Sequence, residues 1–182
     1  MNNKGKLKTY LMVALMAAII SVVSPFSIVI PISPVPITLA TFAIYLTVYL
    51  IGCKYGTIST IIYVLLGFIG APVFTGFTGG VAKVLGPTGG YIIGYTFLAL
   101  IEGLIIGDRY ESAFFSFLGM IAGTIVLYAF GTVWLAIAMH MTISEALFAA
   151  VLPFIPGDIV KMILAYVSGK KIKTLLIKAG II

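Results

Sequence analysis

The sequence carries very little charge. Five acidic and eleven basic residues among 182 leave no polar run long enough to form a water-soluble domain. It has one cysteine, Cys53, which excludes an internal disulfide and a cysteine-based metal cluster. Its one histidine, His140, lies outside any H-E-x-x-H pattern, and there is no G-x-S-x-G elbow, so the paired groups that catalysis needs are missing. Neither enzyme activity nor a cofactor or metal site is expected. The absence of a G-x-x-x-x-G-K-[ST] loop means that any uphill movement draws on an ion gradient or a separate ATPase. No A-x-A-type cleavage site separates MNNKGKLKTY from the apolar stretch behind it, so a retained first helix is expected rather than a signal peptide.

What is present is apolar. A hydrophobic content of 62% and a mean hydropathy of +1.23 place the chain among polytopic membrane proteins. We expect residues 1–182 to form a single all-α domain of six transmembrane helices with irregular loops on the extracellular face. The first run, from Leu7 to about Ile30, is broken by Pro25 and followed by an extended PISPVP segment. The segments 37–52 and 57–70 are shorter than the roughly twenty residues of a perpendicular span, and the CKYG turn between them predicts a helical hairpin. Further spans are predicted over 91–107, over 113 to about 138, and from PFIPGD at 153–158 to about 177, with a short segment at 142–151 before the last. Six spans bring both termini to one side. That side holds Lys4, Lys6, Lys8, Lys54, Arg109, Lys170, Lys171, Lys173 and Lys178, against Lys83 and Lys161 on the other, so the termini are expected in the cytoplasm of a cell-membrane protein. The net charge of +6 is thus topology and not a nucleic-acid patch. All eight prolines fall on the opposite, outer face. Broken backbone on one side of a short bundle builds a cavity that opens on that side.

The stretch 71–91, APVFTGFTGGVAKVLGPTGGY, carries six of the twenty glycines, four of them between Pro72 and Pro87. Its backbone groups cannot go unpaired in lipid, so it is expected to face water or line a cavity, as a lid, a binding loop or a plain connector. Glu102, an acid at membrane depth, is either a functional group or a structural one, since it lies five residues before Gly107, close enough to a helix end to reach the cytoplasmic interface or pair with Arg109. Asp158 and Lys161 share one face at the start of a helix on the cavity side. They are either a self-satisfying ion pair near the helix N-terminus or the contacts of a polar ligand with both donors and acceptors. Small-residue pairs at Gly52/Gly56, Gly103/Gly107 and Gly119/Gly123 suit close helix packing, whereas Ala14 and Ala18 suit either packing or a partner protein.

PVPITLATF, GCKYGTIS, GAPVFTGFTGGVAKVLGPTGGYIIGY and TISEALFAAVLPFIPGDIVK, in this order from about Ala14 to Lys161, resemble the BioY family, the biotin-binding S components of energy-coupling factor (ECF) vitamin transporters. The resemblance implies biotin as ligand, captured outside and released inside by ATP-driven uptake. It implies as partners the lipid bilayer, a transmembrane coupling subunit and two cytoplasmic ATPases. By the same resemblance Asp158 and Lys161 match the family's acid and lysine at the vitamin, Gly79, Gly80, Gly89, Gly90 and Tyr91 match its binding loops, and Ala14 and Ala18 match its docking surface for the coupling subunit. Ala40 stands where a glutamine is expected, Thr78 where some members have asparagine, and Ile92 where some have arginine. These departures leave Lys161, Lys83, Thr78 and backbone N–H groups as candidates for the ligand carboxylate. An S component for another vitamin-like heterocycle, or a membrane interaction protein outside transport, are the competing expectations.

Overall fold

The computed structural model describes residues 3–31 and 33–180, with side chains from Gly5 onward; Ile32 of the PISPVP segment and the side chain of Lys4 lie outside the described residues. Seven helices stand among the described residues: α1 (Asn3–Val23), α2 (Ala40–Phe68), α3 (Val81–Leu85), α4 (Gly89–Ile106), α5 (Ala113–Met139), α6 (Ile143–Ala150) and α7 (Ile155–Lys178). Four of them are long and apolar enough to cross a membrane, and α6 with α7, bent by 52° at their junction, makes a fifth if the pair is one span. Six separate spanning helices are therefore not what the structure displays.

The difference centres on α2. Its helical backbone continues through the predicted CKYG turn except at Gly52, where φ is 77° and ψ is 177°. A Cβ on Gly56 would lie 2.9 Å from the Val48 Cα, although eight residues of straight helix would hold those positions about 12 Å apart. Thr47, before the break, contacts the Met16 sulfur at 3.8 Å, and Ser59, after it, donates to the Val13 carbonyl at 3.0 Å. Both arms of α2 thus meet the same turn of α1, so the chain doubles back at Gly52. Only glycine adopts that φ without strain. α4 closes on the reversal because Gly103 has no side chain: a Cβ there would collide with the Cys53 backbone. Gly119 and Gly123 work the same way between α4 and α5, where added Cβ atoms would lie 2.8 Å from the carbonyl oxygens of Glu102 and Leu98.

α1 ends where Pro25 prevents its continuation. Two short strands follow, β1 (Ser27–Ile28) and β2 (Ile37–Thr38), paired antiparallel across the proline segment. This ribbon was not expected from an all-α reading. The Thr38 hydroxyl ties it down by donating to the Ser24 carbonyl at 2.7 Å and accepting from the Ala40 amide at 3.1 Å.

The glycine-rich stretch is not one loop. Residues 81–85 form α3, and Gly89, Gly90 and Tyr91 already belong to the first turn of α4. The remainder is anchored by Phe74, 1% exposed, whose ring occupies the space above Gly67 and meets Tyr63 edge-on at 5.6 Å. Gly76 donates to the Pro25 carbonyl at 2.9 Å and Gly80 to the Gly67 carbonyl at 2.7 Å, so this loop is laced to the segment after α1 and to the end of α2.

Candidate functional site

The site is built at the first turn of α7. The bend before α7, with Pro156 in that turn, directs two charged side chains inward instead of along the lipid. Asp158 and Lys161 are 4% and 8% exposed, which only mutual pairing makes tolerable. The Lys161 Nζ donates to Asp158 Oδ1 at 2.8 Å and to Thr41 Oγ1 at 3.2 Å. Thr41 donates in turn to Oδ1 at 3.4 Å, and the Tyr128 hydroxyl donates to Oδ2 at 2.5 Å. Helices α2, α5 and α7 are joined through one carboxylate.

A carboxylate offers about four lone-pair sites and an ammonium three N–H donors. Three of the acceptor sites and two of the donors are used within this network among the described residues. The remaining acceptor and donor belong to groups that line a cavity of about 40 Å³, together with Thr38, Thr75, Thr88 and Tyr95. The Thr88 hydroxyl is buried and has no hydrogen-bond partner among the described residues. Such an arrangement can hold a neutral polar group carrying both N–H and C=O, framed by apolar and aromatic walls.

Of the residues singled out in the sequence, Tyr91, Ile92, Asp158 and Lys161 line this cavity. The Tyr91 hydroxyl donates to the Ala150 carbonyl at 2.9 Å, and its ring lies on Gly131, where a Cβ would overlap it. The others are not in the lining. Ala40 is buried one residue before Thr41. Gly79 packs on the Ala71 carbonyl, while Gly80 holds a positive φ of 91°. Gly89 and Gly90 let α4 approach Trp134, whose indole N–H donates to the Gly86 carbonyl at 2.9 Å. These two glycines seat the turn that carries Thr88 and Tyr91. Thr78 is exposed and donates to the Thr75 carbonyl at 2.9 Å, and Lys83 is half-buried in α3. Ala14 and Ala18 are exposed on α1, and exposed His140 caps α5 in the left-handed conformation.

One sequence expectation is overturned here. Glu102 does not pair with Arg109: it is fully buried, and neither carboxylate oxygen has a partner among the described residues. Arg109 instead donates to the Ile105 carbonyl at 3.1 Å and stacks 3.9 Å from the Phe115 ring centroid. The packing of α2 and α5 on α4 seals the face of Glu102 despite its nearness to the helix end. Thr41 and Tyr128 were not anticipated. A signal for Tyr128 exists, because Thr124, Tyr128 and Thr132 recur every four residues and form a polar stripe on the otherwise apolar α5.

The sequence profile of the BioY family matches residues 1–178. A probable biotin transporter BioY from Pyrococcus horikoshii is 40% identical over 169 residues, 92% of this chain and 98% of that protein. The biotin transporter BioY of Thermotoga maritima is 38% identical over 146 residues, 80% and 85% of the two chains. The crystal structure of the S-component for biotin from an ECF-type ABC transporter superposes with a TM-score of 0.88 at 34% identity, covering 96% of this chain and 95% of that one.

Proposed function

Since the chain belongs to the BioY family, we propose that it is the biotin-binding S component of an ECF-type importer, a multi-pass membrane protein and not an enzyme. The observation that carries the reading is the buried Asp158–Lys161–Thr41–Tyr128 network at a cavity with unused hydrogen-bonding capacity. Biotin is an apolar bicycle with a ureido group, two N–H donors and one carbonyl, and a carboxylate tail. In this reading Asp158 accepts a ureido N–H, Lys161 donates its remaining N–H to a ligand oxygen, and Tyr91 and Tyr95 flank the bicycle. Thr88 supplies a further hydroxyl. Thr78, Gly79, Gly80, Gly89, Gly90 and Ala40 act behind this lining by shaping the loops. A cavity of about 40 Å³ holds about one water, so admitting a bicyclic ligand requires the 71–80 loop and the β1–β2 ribbon to move outward.

The whole chain acts as one membrane domain that crosses the bilayer six times, counting the two arms of α2 separately and α6 with α7 as one. Both termini then lie in the cytoplasm of the cell, with the lysine-rich ends of α1 and α7 on the inner face. ATP hydrolysis comes from two partner ATPases through a transmembrane coupling subunit, docked on the exposed stripe of α1 around Ala14 and Ala18.

Calorimetric titration of the detergent-solubilised protein with biotin tests the ligand. Saturable binding at nanomolar to low micromolar concentration is expected. Silence with biotin but heat with a related vitamin would move the specificity elsewhere on the same scaffold, and silence with every small ligand would return the chain to a membrane interaction role. The docking surface is tested separately by Ala14→Leu with Ala18→Leu, which is expected to abolish uptake and keep biotin affinity within about threefold, because both side chains are exposed on the outside of α1 and neither lines the cavity. Loss of binding in that double variant would place the pair inside the bundle's packing.

A further inference from the structure

The end of the molecule opposite the Asp158 cavity holds two adjoining clefts of about 400 and 470 Å³, which share Tyr110, Lys173 and Ile177. Lys173 separates them. Because α2 doubles back at Gly52, the Tyr49 carbonyl is one of the orphaned acceptors at the end of its first arm. Lys173 Nζ donates to it at 2.9 Å, a cation at the negative end of a helix dipole. The same ammonium stands 3.7 Å from the Tyr110 ring centroid. It is half-buried and still has donors to spare among the described residues. On one side the wall is mostly apolar, with Met12, Leu50 and Ile51, and carries one acid, Asp108. On the other, Lys170 and Lys178 face the cleft beside a second acid, Glu111, so that with Lys173 three cations meet two acids.

The depth of this feature is set by α7, whose apolar run ends at Gly169 and gives way to Lys170, Lys171, Lys173 and Lys178. A cationic cleft with one apolar wall, at the level where a spanning helix leaves the hydrocarbon, fits a molecule that is anionic at one end and apolar at the other. We propose that it binds the phosphodiester headgroup of an anionic phospholipid, with the phosphate between Lys170, Lys173 and Lys178 and the glycerol and upper acyl chain along Met12 and Leu50. Basic pockets between helices at a membrane surface recognise such headgroups through charge and leave uncharged ones unbound. The apolar wall argues for the lipid over free phosphate, which would have no use for it.

The test uses the full-length protein in a neutral detergent and does not involve biotin, so it stands or falls apart from the transport reading. Dioctanoyl-phosphatidylglycerol is titrated while the thermal midpoint is followed, and native mass spectrometry counts bound lipids. A saturable rise with one lipid retained is expected. The exposed pair Lys170→Gln with Lys178→Gln should weaken it about thirtyfold, whereas Lys170→Arg with Lys178→Arg should preserve it. Lys173 is left intact because it also holds the end of the α2 arm. An equal rise with dioctanoyl-phosphatidylcholine would overturn the proposal by showing that charge is not read. The same rise with inorganic phosphate alone would overturn it in favour of a free-anion site, and an unchanged response in the glutamine variant would remove the lysines from it.

Discussion

Two acids lie buried in this bundle, and they are treated in opposite ways. Asp158 receives hydrogen bonds from Lys161, Thr41 and Tyr128 on three helices. Glu102, more deeply buried, receives none among the described residues. Burial alone does not mark a functional acid. Asp158 stands out because several elements converge on it and because the convergence borders a cavity. Glu102 sits where α4 meets α2 and α5 through glycines and cysteine, a region built for backbone contact.

The largest effect is expected at Asp158. Asp158→Asn removes charge-assisted bonds worth roughly 1.5–3 kcal/mol each and should weaken biotin binding about ten- to hundredfold. Lys161→Ala should be harmful as well, since it deletes the proposed ligand contact and leaves the carboxylate without its counter-charge. Because the two groups share one bond at 2.8 Å, the double variant should cost less than the sum of the singles. A purely structural ion pair would instead lower the thermal midpoint and leave the dissociation constant unchanged in the folded fraction. Measuring both quantities on the same variants separates the two roles, and near-wild-type affinity in Asp158→Asn would take that residue out of the site.

An intermediate effect is expected at Tyr128. Tyr128→Phe removes only the donor to Asp158 Oδ2 and keeps the ring in place. Affinity should fall about three- to tenfold, from loss of about one hydrogen bond's worth of positioning. If it falls as far as in Asp158→Asn, then Tyr128 contacts the ligand itself. If affinity and stability are both unchanged, the network is less coupled than its geometry indicates.

Much of this was legible in the sequence, for a physical reason. Helices long and apolar enough to cross a membrane announce themselves by composition, and the i,i+3 spacing of Asp158 and Lys161 places them on one face whatever surrounds them. The reversal of α2 was also legible, because Gly52 and Gly56 flank Cys53–Tyr55 between two segments too short to span. What was not legible depends on partners far along the chain. Thr41 reaches Asp158 across 117 positions, and no local pattern encodes such a meeting. Gly89 and Gly90 match the family's binding loops by resemblance, and what the sequence does not tell is that Trp134 packs against them. A glycine signals closeness without saying to what. The burial of Glu102 is hidden from the sequence for a related reason: distance along a helix measures depth, whereas exposure depends on which neighbours cover that face.

The smallest effect is expected at Glu102, and it tests the contrast from the other side. A buried polar group without partners costs about 1–3 kcal/mol relative to an apolar side chain that fills the same space. Glu102→Leu keeps most of the volume and removes both unpartnered oxygens, so the thermal midpoint should hold or rise. Biotin affinity should stay within about threefold, since Glu102 is not among the residues lining the Asp158 cavity. Glu102→Gln serves as the control, because it retains polar atoms that would still lack partners and should give no such gain. A fall in midpoint with Leu but not with Gln would mean that the side chain finds hydrogen bonds in the working protein. A selective loss of biotin binding would join the two acids into one system, and the distinction between them would fail.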